Sequence, residues 1–343
     1  MKATKRRTVG SRILKYVLLG AGSILLLALA LFAWIYLTLS SGPGPMEMSD
    51  FHPFKSPKAK AEYLAFEDTL AAKWPVVSEQ RLVKTSFGTT FMRISGPVDA
   101  PPLVLLPGGG TCSLIWNANI EALSQQYRTY ALDNIYDYGR SVYTRKMESG
   151  GDMAAWLDEL FDVLHPGNDI RIMGYSFGGW VTSQYALHHP QRLHRVVLIA
   201  PANTVLPIPG PYIRRMITTL IPVRYFVGKI MYWVWQDLAR MGESGRQIVE
   251  DRISYFRLAM KSFKFKQPVN PTLLTDEEIH QMAMPVLFLV GGNETAFNAA
   301  DAVGRLHRLN PKIRTETIPG TGHDVMFTHT EMVNQLVLDF LRD

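Results

Sequence analysis

The run Gly174-Tyr175-Ser176-Phe177-Gly178-Gly179 sets a serine between glycines, directly after the apolar stretch Ile170-Arg171-Ile172-Met173 and before a segment of helical period, 180–188. A strand that turns abruptly into a helix at a serine holds that residue in a strained backbone conformation and exposes its hydroxyl. Side chains at the glycine positions would collide with the neighbouring strand and helix, and a helix amino terminus favours negative charge developing beside it. Ser176 is therefore the candidate nucleophile. The competing account is a serine that caps a helix, followed by glycines that only let elements pack.

A serine hydroxyl is a weak nucleophile at its own pKa, so it needs a base within reach and a third group to orient that base. Of the nine histidines, His323 closes the run Pro319-Gly320-Thr321-Gly322-His323, after a strand-like segment, 312–318, and before a final helix reaching Leu341. A loop in that place projects to the same sheet edge as Ser176. His188, His189, His194, His307 and His329 fall on helix ends and faces, where a solvated ring accounts for them, and His165 and His280 have still less context. For the acid, Gly291-Gly292-Asn293-Glu294 follows the apolar run 286–290 and lies between serine and histidine in the chain. Glu294 is the first choice and Asp301 the alternative, while Asp276, Glu277 and Glu278 precede the strand and read as capping residues. Acyl transfer also needs preset donors for an oxyanion. The Phe177 N–H is one, and the loop Pro107-Gly108-Gly109-Gly110 offers the Gly109 N–H as the other, with Gly110 second. No Gly-Lys-Ser/Thr follows that loop, which argues against a phosphate loop.

These residues need a scaffold that brings them to one edge. Segments 81–85 and 90–95 pattern as a strand pair about Phe87-Gly88. The short apolar runs 103–106, 129–132, 170–173, 196–200 and 286–290 suit strands buried on both faces. Helical-period segments lie between most of them; the clearest, 152–164, places Trp156, Leu157, Leu160, Phe161 and Leu164 at three- and four-residue steps. The class is α/β: a mostly parallel central sheet with helices on both faces and its site at the strands' carboxyl ends. Between 202 and 283 the alternation stops. That stretch is helical in period, rich in aromatics, and carries eleven Lys/Arg against seven Asp/Glu, as expected for an inserted helical cap.

In this order of elements the chain, from about Arg81 onward, resembles the α/β-hydrolase fold family. Leu132-Asp133-Asn134-Ile135-Tyr136-Asp137-Tyr138-Gly139-Arg140-Ser141 is similar to that family's loop after the fourth strand, which helps shape the site. Pro107 stands where the family usually has histidine, and Glu294 where aspartate is commoner. The resemblance implies acyl transfer: Ser176 attacks a carbonyl, His323 takes its proton, Glu294 stabilises the imidazolium, and water resolves the acyl-enzyme. The expected function is a serine hydrolase, specifically a carboxylic ester hydrolase acting on a small lipophilic ester held by the aromatic cap. Carbon–carbon bond hydrolysis, amide hydrolysis and cofactor-free haloperoxidation use the same triad, and a non-catalytic, membrane-tethered binding protein on this scaffold is the rival from another class. No metal or organic cofactor is implied, since clustered His/Cys ligands and a dinucleotide fingerprint are both absent from the sequence.

Composition bounds the rest. With 47% hydrophobic and 19% charged residues among 343, the chain can build a large core and does not pattern as disordered. Its net charge of +6 resides in Lys2, Lys5, Arg6, Arg7, Arg12 and Lys15, which argues against nucleic-acid binding; no obligate protein partner is indicated either. Segment 17–39 then runs 23 residues without a charge, about 35 Å as a helix. It is too long for a signal-peptide core and lacks a good cleavage site. The expectation is a single-pass membrane protein, tied to the bilayer by its N-terminal helix, with its amino terminus cytoplasmic and its catalytic domain outside the cytoplasm. Ser41-Gly42-Pro43-Gly44-Pro45 reads as a linker, and 56–73 as a stem helix with Tyr63, Leu64, Phe66 and Leu70 near one face. The organisation is thus anchor 1–40, linker and stem 41–80, core 81–202, cap 203–283 and core 284–343. Cys112, the only cysteine, excludes an intrachain disulfide and reads as a small buried residue beside a loop.

Overall fold

The computed structural model describes residues 53–165 and 167–342, together with Tyr16. The apolar runs become the strands β3 (Pro102–Leu106), β4 (Arg128–Leu132), β6 (Ile170–Tyr175), β7 (Leu193–Ile199) and β8 (Val286–Gly291). They are flanked by β1 (Glu79–Thr85) and β2 (Gly88–Ser95) on one side and by β9 (Arg314–Ile318) on the other. The sheet order is β1-β2-β4-β3-β6-β7-β8-β9, and the two-residue β5 (Val142–Tyr143), not expected from the sequence, pairs with β2. From β4 to β9 all pairings are parallel; β1, β2 and β5 are antiparallel. Burial follows position, because β6 and β8 are covered at every residue, whereas the edge strands β1 and β9 carry the exposed ones.

The two-residue period of a strand divides the core between the faces of the sheet. Leu103 and Leu105, Met173 and Tyr175, Val197 and Ile199, and Leu287 and Leu289 join a cluster with Val333, Val337 and Leu341 of the terminal helix Thr330–Arg342. The helices Gly150–Leu164 and Phe177–His188 meet each other and contact the sheet at β1, β3, β6 and β7. The first of them starts on a capping box, Ser149 with Asp152, which fixes its entry. The chain leaves β3 for β4 on one side and returns to β6 on the other. The loops after β3 and β6 therefore diverge at a switch point, where an open parallel sheet leaves a crevice.

The inserted segment forms the helices Gly210–Thr218, Arg224–Val234, Gln236–Arg240, Glu243–Ser262 and Asp276–Gln281 between β7 and β8. It shares one unit, Glu47–Lys264 with Pro268–Asp343, with the sheet. The stem is the helix Pro57–Ala71, capped by Ser56, and it packs on both parts. Tyr63 meets Tyr255 of the long cap helix through their hydroxyls at 2.6 Å, while Glu67 reaches Arg93 of β2 at 2.8 Å and Arg140 at 2.8 Å. The face expected to be apolar thus buries a charge beside Tyr63.

Among the described residues no helix is long and apolar enough to cross a membrane. The longest of them, Glu243–Ser262, spans 20 residues but carries Glu243, Arg246, Glu250, Asp251, Arg252, Arg257 and Lys261, whose charges could not be left in lipid. The expected placement as a single-pass membrane protein, with the catalytic domain outside the cytoplasm and the bilayer as partner, is corrected on this finding. Segment 17–39, on which that expectation rests, and the linker 41–45 lie outside the described residues.

Glu67 and Arg93 have side chains only 0% and 2% exposed, so removing one partner strands a buried charge. Glu67→Ala is expected to destabilise the fold by about 3–5 kcal/mol, and Glu67→Gln by less, as read from urea unfolding midpoints. Equal midpoints for Glu67→Ala and wild type would remove this strap from the account of the stem.

Candidate active site

Ser176 occupies the turn from β6 into the helix Phe177–His188 with φ 52° and ψ −116°. For a residue with a β-carbon that conformation costs on the order of 1–3 kcal/mol and persists only where neighbours over-determine it. Here its N–H donates to the Ile199 carbonyl of β7 at 2.9 Å, and its own carbonyl accepts from Trp180 N–H at 3.2 Å and Ala202 N–H at 3.1 Å. A methyl group at Gly174 would run into the Gly178 carbonyl, and one at Gly178 into the Leu106 carbonyl. The glycines let the turn lie flat on its neighbours, and the serine points away from them.

His323, in the loop after β9, places Nε2 2.9 Å from Ser176 Oγ. Its Nδ1 lies 3.0 Å from both Oε1 and Oε2 of Glu294, in the turn after β8. Glu294 Oε1 also accepts the Thr295 and Ala296 N–H groups at 2.7 and 2.8 Å. The Glu294 side chain is 0% exposed and that of His323 5%, so the pair is shielded from water. Burial alone would disfavour the imidazolium, but the charge and hydrogen bond of Glu294, with help from Asp324, outweigh it and hold the His323 pKa above the ordinary histidine value. Asp301, the alternative acid, is instead exposed in the first turn of the helix Ala299–Leu309.

The loop after β3 lies beside this pair. A methyl group at Gly109 would stand 3.4 Å from Phe177 Cβ, so the two N–H groups expected to receive an oxyanion come from adjoining segments. Neither has an acceptor among the described residues. Gly110, the second choice, is committed elsewhere: its N–H donates to Asp137 Oδ2 at 2.8 Å, which ties the glycine loop to the loop after β4. An imidazole braced by a carboxylate, a hydroxyl and free N–H groups together can deprotonate the hydroxyl, let it attack a carbonyl and hold the resulting negative oxygen.

Four of the other histidines are engaged with partners outside the site: His188 with the Gln184 carbonyl, His189 with Asp158, His194 with Asp169 and His307 with Thr315. Cys112 is buried, and burial pushes its thiol pKa far up, which leaves it inert.

Asp324 was not anticipated. Its Oδ2 accepts the Leu238 N–H of the cap at 2.7 Å, and its Oδ1 accepts the Gly322 N–H and the Thr321 hydroxyl, both at 3.2 Å. Asp237 reaches from the same short helix, Gln236–Arg240, to Asn293 Nδ2 at 3.2 Å. The cap is therefore hydrogen-bonded to both turns that carry His323 and Glu294. It closes a cavity of about 100 Å³ over Ser176 and His323, with Tyr212, Ile230, Val234, Trp235 and Phe256 in its walls. Position in the sequence next to a histidine is the sole sequence signal for Asp324, and it carries no periodicity.

A sequence model of the alpha/beta hydrolase fold matches residues 101–330. Carboxylesterase YbfK of Bacillus subtilis (strain 168) is 34% identical over 284 residues, covering 81% of this chain and 93% of that protein. The crystal structure of the B. subtilis carboxylesterase CesB (YbfK) superposes with a TM-score of 0.74 at 30% identity, covering 83% of this chain and 98% of the other. That of the B. subtilis naproxen esterase, carboxylesterase NP, does so with a TM-score of 0.76 at 29% identity, covering 86% and 99%.

The electrostatics of the histidine can be read directly. Followed by proton NMR, the His323 ring is expected to titrate above the ordinary value of about 6.5, and Glu294→Gln is expected to lower that midpoint. A midpoint unmoved by the substitution would show that Glu294 does not govern the ring.

Proposed function

This chain belongs to the α/β-hydrolase fold family, and from that premise we propose that it is a serine carboxylesterase acting through an acyl-enzyme on a small ester with apolar parts. The carrying observation is the Ser176 Oγ–His323 Nε2 separation of 2.9 Å, with Glu294 on the far side of the ring. Ser176 is the nucleophile, and His323 first takes its proton and then returns it to the leaving alcohol. Glu294 keeps the ring proton on Nδ1 and offsets the imidazolium charge. The Gly109 and Phe177 N–H groups receive the oxyanion. Water, activated by the same histidine, frees the acid. Residues 203–283 act as the cap, and 81–202 with 284–343 as the catalytic core.

The apolar wall made by Tyr212, Ile230, Val234, Trp235 and Phe256 favours ester substrates whose acyl or alcohol part is hydrophobic. A glutamate in place of the commoner aspartate adds one methylene, yet both of its oxygens still lie 3.0 Å from Nδ1. The longer side chain therefore fits the role without a change in chemistry.

A fluorophosphonate probe is expected to label the protein at Ser176, and Ser176→Ala to abolish both labelling and turnover of p-nitrophenyl butyrate. Intact protein that never labels would overturn the assignment in favour of a binding role. Glu294→Gln is expected to lower kcat on the order of 10³–10⁴-fold, because the ring can then adopt the unproductive tautomer. Only neutral imidazole accepts the proton, so kcat/KM is expected to rise with pH through the raised pKa of His323, its acid limb lying above the ordinary histidine range.

A further inference from the structure

Arg252 stands on the long cap helix Glu243–Ser262, one turn before Tyr255 and Phe256, and lines the cavity that contains Ser176 and His323. Its guanidinium carbon is 5.7 Å from the Trp235 ring centre and 5.9 Å from that of Phe327. Among the described residues it has no hydrogen-bond acceptor, and no carboxylate lies within 4.0 Å. The acids beside it on the helix are turned elsewhere: Asp251 to Lys73 and Gln247, Glu250 to Arg224 and Tyr232. Arg93 and Arg171, which are more deeply buried than the half-buried Arg252, each meet a carboxylate, at 2.8 and 3.2 Å.

A cation half-buried between two aromatic rings and left without an anion is costly, and ring faces compensate only in part. Burial accordingly pushes the Arg252 pKa below its usual value. A group that arrives with the substrate can supply the missing charge. The cavity, about 100 Å³, admits a small anion, and a single guanidinium balances one negative charge, which a carboxylate carries and a phosphate dianion exceeds. We infer that Arg252 anchors a carboxylate borne by the substrate at a distance from the scissile bond, so that the preferred esters are singly anionic, such as half-esters of dicarboxylic acids. This rests on the serine-esterase assignment for turnover but not for binding.

The full-length chain is assayed with monomethyl esters of dicarboxylic acids of graded length, each against its neutral twin in which the far carboxylate is a primary amide. A second arm places the charge on the alcohol side, with the butyryl ester of 4-hydroxybutyrate against that of its amide. A ratio of kcat/KM, anionic over neutral, of about tenfold or more is expected at the fitting length on one arm, and that arm locates the charge. Arg252→Met is expected to bring the ratio close to one, and Arg252→Lys to retain part of it, because an ammonium keeps the charge without the planar fork. A wild-type ratio near one at every length on both arms overturns the inference, whether or not the variants fold, and so does a ratio that survives in folded Arg252→Met. Titration calorimetry with the monoamide of adipic acid, a monoanion, and with its neutral diamide separates this from the enzymatic assignment. If no ester is turned over, the esterase assignment fails, while saturable binding of the monoamide but not the diamide, lost in Arg252→Met, still supports the anchor and its absence overturns it.

Discussion

The carboxylate of Glu294 is fully buried, and the rest of the site is arranged around that constraint. A buried carboxylate costs several kcal/mol unless donors replace its water. Two of the donors, the N–H groups of Thr295 and Ala296, are fixed by the turn in which the residue itself sits. The remaining one is the ring of His323, which satisfies the charge only by carrying its proton on Nδ1. The lone pair is then on Nε2, 2.9 Å from Ser176 Oγ. A single desolvated charge thus fixes the tautomer and the polarity of the hydrogen bond to the hydroxyl.

The sheet determines whether those groups can meet. Ser176, Glu294 and His323 follow β6, β8 and β9, and the parallel arrangement places the ends of those strands at one edge. The serine's positive φ is held by hydrogen bonds to Ile199 and Ala202, at the end of β7 and just beyond it. The strain is therefore borne where β6 and β7 end, inside a close-packed sheet that has little room to relax it.

What was legible in the sequence is what is local. The serine turn could be read because its glycines, its preceding strand and its following helix lie within a few residues, and Glu294 and His323 because each directly follows a strand. The strands β3, β4, β6, β7 and β8 announced themselves as short apolar runs bounded by turn residues. The positions that the sequence leaves unread, or ranks second, depend on partners far along the chain. Gly110 loses its N–H to Asp137, 27 residues away, and Glu67 is buried because Arg93 and Arg140 lie opposite it. Asp324 bonds a helix 86 residues away, and Arg252 stands out only once its neighbours are seen to have other partners. No spacing rule reports a distant partner. The uncharged segment 17–39 marks a different limit, since hydropathy describes a local stretch and no described helix crosses a membrane.

The cap is more than a cover. Leu238 donates to Asp324, next to His323, and Asp237 bonds Asn293, next to Glu294, so one short helix is bonded to both turns that fix the imidazole. A shift of that helix pulls on base and acid together. Its neighbour Trp235 lines the cavity and also flanks Arg252. A side chain that lines the cavity therefore adjoins the helix whose bonds set the histidine. By excluding water, the same enclosure strengthens the attraction between His323 and Glu294 and raises the cost of leaving Arg252 without an anion. On the proposed reading, selectivity and catalytic alignment draw on one low-dielectric space, since a carboxylate that neutralised Arg252 would do so beside the helix bonded to both turns that fix the ring.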